Sequence, residues 1–318
     1  MKKSGDSASV SGMRPRDLVL GVLVIWATGC ANEARFNKFR LENAEKGHRQ
    51  HQNRMGVHHH DLAGKLQKSN ESNPDQDHLR TALKWYLAAA NPTNHVVTSG
   101  ETKADIVTRY GTFMKFLEKE PANQGIDFDA LEPGTTIVIP GMALAMYNAG
   151  SLYESAANEK RLDEIGMDSP IKARRLAVKW YRLSANAGLD LGQFAYAHAL
   201  EHGTGVLDVN LKEARAWYER SARQGFAVAQ NNLANLYFHG FGDNENPNYA
   251  QAYYWYSIAS NNYESIDKDE MEQEMKNKIS EIISKLVDAK IACKNILTEE
   301  EQGRIERSVA TFQPIREK

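Results

Sequence analysis

Apolar and aromatic positions recur along this chain in a fixed phase. Trp180-Tyr181 returns as Trp217-Tyr218, 37 residues on, and Trp255-Tyr256 follows at 38. Trp85-Tyr86 stands upstream as a more distant copy. An alanine lies three residues before each of these tryptophans, at Ala82, Ala177, Ala214 and Ala252. Gly188 recurs as Gly225 and Gly203 as Gly240. A period in the thirties that fixes aromatic, alanine and glycine together predicts an all-α solenoid, in which each helical hairpin covers the apolar face of the next.

The pattern also predicts the individual helices. One runs from about Ile171 to Ala187, with Pro170 in its first turn and Gly188 ending it, and its copy runs from Leu211 to Gln224 and stops at Gly225. Small residues at Ser184-Ala185, Ser221-Ala222 and Ala259-Ser260 let paired helices approach, and the Trp/Tyr pairs fill space between hairpins. Asp77 caps an earlier copy bearing Leu79, Ala82, Leu83, Tyr86 and Leu87. The expected partner of that helix comes only at residues 142–150, where Tyr147 and Gly150 match Tyr237 and Gly240. An insertion over 91–139 therefore opens the first hairpin, with a helix predicted over Glu101–Glu120 and an extended stretch ending at Pro140. Two readings of the insertion stand side by side. It carries binding, since repeat arrays tolerate length in loops, or it caps the apolar end of the array. Beyond Tyr263 the repeat decays into one amphipathic capping helix within 264–300, and 301–318 reads as a loose tail.

The chain begins with an address. Leu18–Ala27 is an apolar run of ten, too short to span a bilayer but suited to an export signal. Ala27-Thr28-Gly29-Cys30 follows and resembles the bacterial lipoprotein signal, departing from it at Ala27, where leucine is usual. The resemblance implies cleavage after residue 29 and acylation of Cys30. Ala31, in place of an aspartate, points toward the outer membrane. Met13 offers a second possible start, because residues 13–30 alone form a compact signal. Residues 30–78 read as a polar tether, and the cluster His58-His59-His60, with His48 and His51, as a solvated tract within it.

Charge and chemistry narrow the function. The net charge is −2, and loss of residues 1–29, with four positive and two negative side chains, leaves the body at −4. A mildly acidic body argues against nucleic acid as a partner. Of the two cysteines, Cys30 is taken by the signal, so no intramolecular disulfide is expected, and Cys293 reads as a buried helix residue. His198 and His202 have the spacing of a zinc pair, but His202-Gly203 recurs as His239-Gly240, so the repeat explains it. No metal, cofactor or catalytic residue is expected.

Units two and three resemble the Sel1-like repeat family, a relative of the tetratricopeptide repeats. The residues that carry the resemblance are Ala214, Trp217-Tyr218, Ser221-Ala222, Gln224-Gly225, Ala229-Gln230, Leu233, Tyr237, Gly240 and Gly242, with Trp180-Tyr181, Ala185, Ala187-Gly188, Ala195 and His202 to Val206 before them. The organisation expected is a signal (1–29), a tether (30–78), a first repeat with its insertion (79–160), further repeats (161–263), a capping helix (264–300) and a tail (301–318). The resemblance implies a lipid-anchored periplasmic adaptor for a protein or peptide. The candidate contacts are Arg182, Asn186, Glu219 and Arg223 on the repeats, with Arg109 and Tyr110 in the insertion. Some Sel1-type periplasmic proteins serve as immunity partners against type VI lipase effectors, which gives a narrower form of the same reading. The alternative is an envelope or peptidoglycan hydrolase using Glu118, Glu120 or Asp127.

Overall fold

The computed structural model describes residues 40–69, 77–205, 208–240, 246–268 and 271–315; the signal segment and Cys30 lie outside them. The described residues divide into two compact units, one ending at Ala187 and one beginning at Gly188.

The first unit opens with a helix where a tether was expected. Helix α1 (Arg49–Ser69) packs along α2 (His78–Ala90), whose first turn is capped by Asp77 accepting from the Arg80 backbone N–H. The reason the sequence concealed α1 is the polarity of its inner face. Arg49, Gln52 and Asn53 are buried there together with Met55 and Ala63. Gly56 faces the Tyr86 ring so closely that any side chain at Gly56 would collide with it. The histidine tract shares this correction. His59 Nδ1 lies 3.1 Å from His78 Nδ1, and His60 Nδ1 lies 3.5 Å from the Tyr86 hydroxyl.

Helix α2 also rests on α5 (Ala143–Asn158), which pairs with α6 (Pro170–Asn186). The insertion therefore stands between two complete hairpins, α1–α2 and α5–α6, and opens neither. It is built as β1 (Thr93–Val96), α3 (Lys103–Tyr110), α4 (Met114–Lys119) and β2 (Thr136–Ile139). The two strands pair antiparallel with Thr93 opposite Ile139, a small sheet inside an otherwise helical chain. Entry and exit are thus neighbours, and the stack accommodates the module without being spread apart. The single helix expected over Glu101–Glu120 is two. Gly111 takes a left-handed conformation (φ 57°) and ends α3, which starts at a Thr102–Asp105 capping box. Val97, Ile106, Leu117, Phe128, Ile137 and Ile139 give the module its own core. Buried Asn123 fastens β2, donating to the Leu117 and Val138 carbonyls and accepting from the Val138 N–H.

One side chain joins module and hairpin. Arg49, 3% exposed, donates from Nη1 to the carbonyls of Ala89 and Asn91 (2.7 Å each) and from Nη2 to that of Ile139 (2.9 Å). Those acceptors are the end of α2 and the end of β2. Burial lowers the guanidinium pKa to about 10, so it stays charged at neutral pH.

The second unit contains α7 (Asp190–His202), α8 (Leu211–Arg223), α9 (Ala227–His239) and α10 (Tyr249–Glu264), followed by α11 (Gln273–Lys294) and α12 (Glu299–Ala310), both packed on α10. The tail expected from residue 301 is largely the helix α12, begun by a Thr298–Glu301 capping box and tied to α10 by the Tyr253 hydroxyl donating to Glu306 Oε1 (2.9 Å). Cys293 is buried and unpaired, its thiol pushed up to about 12 by burial.

The Trp-Tyr helices α2, α6, α8 and α10 each pack on the helix that precedes them, and polar contacts close these pairs in phase. Ser184 donates to the carbonyl of Ala143 and Ser221 to that of Asp190, both 2.8 Å, each time the first residue of the preceding helix. Gln224 reaches the Gly188 carbonyl and buried Gln193; Asn262 reaches the Gly225 carbonyl and buried Gln230.

Replacing Arg49 by methionine keeps its volume but removes all three bonds, leaving the Ala89 carbonyl only the Met142 N–H. We expect a loss of about 3 kcal/mol in guanidinium-induced unfolding, with the module loosened first, seen as faster amide exchange in β1 and β2.

Candidate functional site

Within each Trp-Tyr pair it is the tyrosine that the repeat consumes. Tyr86, Tyr181, Tyr218 and Tyr256 are at most 2% exposed. Each hydroxyl is answered from the preceding helix: His60 for Tyr86, Glu154 Oε2 for Tyr181 (2.8 Å), Glu201 Oε2 for Tyr218 (2.6 Å) and Asn235 Oδ1 for Tyr256 (2.6 Å). Burial drives all four phenol pKa values upward, so none is available as an acid or base near neutrality. The tryptophans vary more. Trp180 and Trp255 are buried, whereas Trp217 is half-buried, with the Arg220 guanidinium 4.5 Å above its ring.

In the second unit outward side chains gather beside buried Trp255. Glu219 and Arg223 of α8, with Gln251, Tyr254 and Trp255 of α10, line a groove of about 320 Å³. Arg223 donates through Nε (3.0 Å) and Nη2 (2.6 Å) to Glu219 Oε1, one turn back on the same helix. Residues 312–315 run along this groove. The Phe312 ring meets Trp255 edge to face, with centroids 6.0 Å apart, and the Ile315 N–H donates to the Arg223 carbonyl at 2.8 Å.

The structure thus brings together Glu219 and Arg223 among the predicted contacts. Arg182 and Asn186 stand exposed on the last two turns of α6. Arg109 and Tyr110 are engaged inside the module: Arg109 pairs with Glu101 (2.9 Å), and the Tyr110 hydroxyl lies 3.1 Å from His95 Nδ1. Burial of Glu101 opposes its ionisation, but the Thr98 backbone N–H and the His95 ring outweigh that and hold its carboxyl below the usual range. Gln251, Tyr254, Trp255 and the 312–315 segment were missed, because their spacing in sequence carries no signal of a shared surface.

The carboxylates named for hydrolysis lie on the insertion module. Glu118 and Asp127 are exposed and Glu120 is half-buried. Together with Asp129, which bonds Lys103 directly and contributes most, Glu118 and Asp127 raise the pKa of the Lys103 ammonium. His198 and His202 stack with ring centroids 4.2 Å apart, and His202 Nδ1 bonds the His198 carbonyl at 3.0 Å. Among the described residues no group of three or more His, Cys, Asp or Glu is arranged to hold a metal ion.

Comparison with known proteins agrees with the repeat. The Sel1 repeat model matches residues 52–91, 168–189, 190–226 and 227–263. The chain carries Sel1 repeats over these four spans. The matched spans set the frame: the first Sel1 repeat is α1–α2, and the Trp-Tyr helix closes each repeat instead of opening it. A curated relative, chitin synthase regulatory factor 2 of Schizosaccharomyces pombe, is 33% identical over 116 residues, which is 36% of this chain and 22% of that protein. The chain thus spans about a fifth of that relative's length. Two solved structures are similar: a protective antigen of uropathogenic Escherichia coli with an SLR fold (18% identity, 93% of this chain, 52% of that one, TM-score 0.38), and a Sel1 repeat protein from Oxalobacter formigenes (20%, 77%, 69%, 0.39). At these TM-scores neither superposition bears on how this chain acts.

The histidines of the first Sel1 repeat make its stability depend on pH. Burial lowers His59 and His60 from 6.5 to about 4. Between those values the unfolded chain binds protons that the folded repeat excludes, so stability is full above pH 6.5 and falls as pH drops toward 4. Thermal melts from pH 7.5 to 4.5 should show this loss, and it should shrink in His59→Gln and His60→Gln.

Proposed function

We propose that this chain, which carries Sel1 repeats, is a non-catalytic adaptor that holds a protein partner against its helices, anchored in a bacterial cell envelope by an acylated Cys30. One observation carries the binding role: the groove where Glu219, Arg223, Gln251 and Tyr254 stand around buried Trp255, on helices whose backbone the Sel1 packing fixes. Rigid elements presenting aromatic and charged side chains are suited to gripping another chain. The 33% identical relative is named a regulatory factor, a role that fits an adaptor acting on other proteins.

The anchor rests on the sequence of residues 14–31. A charged flank, ten apolar residues and Thr28-Gly29-Cys30 suit a lipoprotein signal, and Ala31 favours the outer membrane, facing the periplasm. Within this reading the family resemblance supports a narrower role as immunity partner to a type VI lipase effector. Co-expression with such a lipase would test it, protection of the cell being the expected result.

The experiment is affinity capture of the full chain from its own envelope, with mass spectrometry of the partner and of the mature N-terminus. We expect a diacylglycerol- and acyl-modified Cys30 and one dominant partner. Glu219→Ala with Arg223→Ala should weaken that partner's binding at least about tenfold, or about 1.4 kcal/mol. An unmodified Cys30 would remove the anchor, and a partner indifferent to both substitutions would remove the groove.

A further inference from the structure

An extended piece of the chain, residues 312–315, forms one wall of the groove beside α8 and α10, and the way it is held defines what would fit in its place. Three contacts fix residues 312–315. The Phe312 ring sets its edge against Trp255. Pro314 lies over Gly225, where a Cβ would come within 3.2 Å of two proline ring carbons. The Ile315 N–H donates to the carbonyl of Arg223, the last residue of α8. Carbonyls in the final turn of a helix have no partner within the helix, so this acceptor is available to any chain laid across it. Gly225 serves twice, since it ends the repeat with φ +97° and leaves room for the proline ring.

The hold is light. Ile315 is 61% exposed, Gln313 and Pro314 are exposed, and only Phe312 is partly covered. Trp255 is buried on α10 with the Phe312 ring against it. The segment therefore contributes little to the fold, yet it covers the face on which Glu219, Arg223 and Tyr254 present their side chains.

We propose that residues 312–315 are a resident pseudo-ligand, and that the groove takes from its partner an extended segment of the same chemistry: an aromatic residue, any residue, a proline, then an aliphatic one. This inference rests on the adaptor reading above and names its partner class. Tethering through α12 gives the resident segment an effective concentration on the order of millimolar. Weak intrinsic affinity then suffices to keep it seated, and a partner gains the groove only by displacing it. Proline in the segment lowers the cost of ordering an incoming chain.

The test uses the full chain and a fluorescein-labelled peptide of residues 308–315, followed by fluorescence anisotropy. Two variants weaken the resident segment: Phe312→Ala removes its ring, and Ile315→Pro removes its N–H donor. Both should bind the free peptide at least tenfold more tightly than the unaltered chain, and Tyr254→Ala in the Phe312→Ala background should abolish that gain. A peptide lacking its own phenylalanine should not bind. Equal affinity for all chains, or no binding to either variant while circular dichroism shows them folded, would overturn the proposal. A partner captured equally by the unaltered and Phe312→Ala chains, without peptide binding, would overturn this inference and leave the adaptor reading standing. Loss of any captured partner alongside a positive peptide result would do the reverse.

Discussion

A tyrosine buried with its hydroxyl answered is the constraint on which the repeats depend. A phenol between two helices brings a large apolar face and one polar atom, and that atom must find a partner or cost one to several kcal/mol. For the tyrosine of each Trp-Tyr pair one partner lies on the preceding helix, its identity changing from histidine to glutamate to asparagine, and the Tyr218 hydroxyl also accepts from Asn232 on the following helix. The serine and glutamine contacts reinforce the same pairing from the helix ends. Together they tie each Trp-Tyr helix to the helix before it.

The module between the first two hairpins obeys a second constraint. An insertion is harmless to a stack when its two ends meet, and β1 and β2 make them meet by pairing along their length. Arg49 then ties the base of the module to the first hairpin through the carbonyls of Ala89, Asn91 and Ile139. A carboxylate could not do this, and a lysine would reach fewer of the three acceptors. The planar, always charged guanidinium suits a site where several carbonyls converge.

Function, in this reading, lives on what the packing leaves over. The glutamate, arginine, glutamine and outer tyrosine of α8 and α10 interrupt positions that are otherwise committed to the core, and they inherit rigidity from it. The groove they form is shallow and already shared with residues 312–315, which suits exchange of one extended segment for another better than enclosure of a small substrate.

Sequence alone determined the repeat, its period, the small residues between paired helices, the cap at Asp77, the helix start at Pro170 and burial of Cys293, because each is local or recurs in phase. Two of the groove's residues, Glu219 and Arg223, were legible for the same reason: they occupy outward positions on a helix whose inward ones the repeat defines. Only tertiary structure decided the rest. Helix α1 looked like a tether because its inner face carries Arg49, Gln52 and Asn53, and hydrophobic periodicity cannot distinguish a buried, satisfied polar residue from a solvated one. The division of Glu101–Glu120 into two helices turned on the left-handed Gly111. The pairing of β1 with β2 and the seat of Phe312 against Trp255 join residues forty or more positions apart, and no local pattern records which distant segment a face will meet.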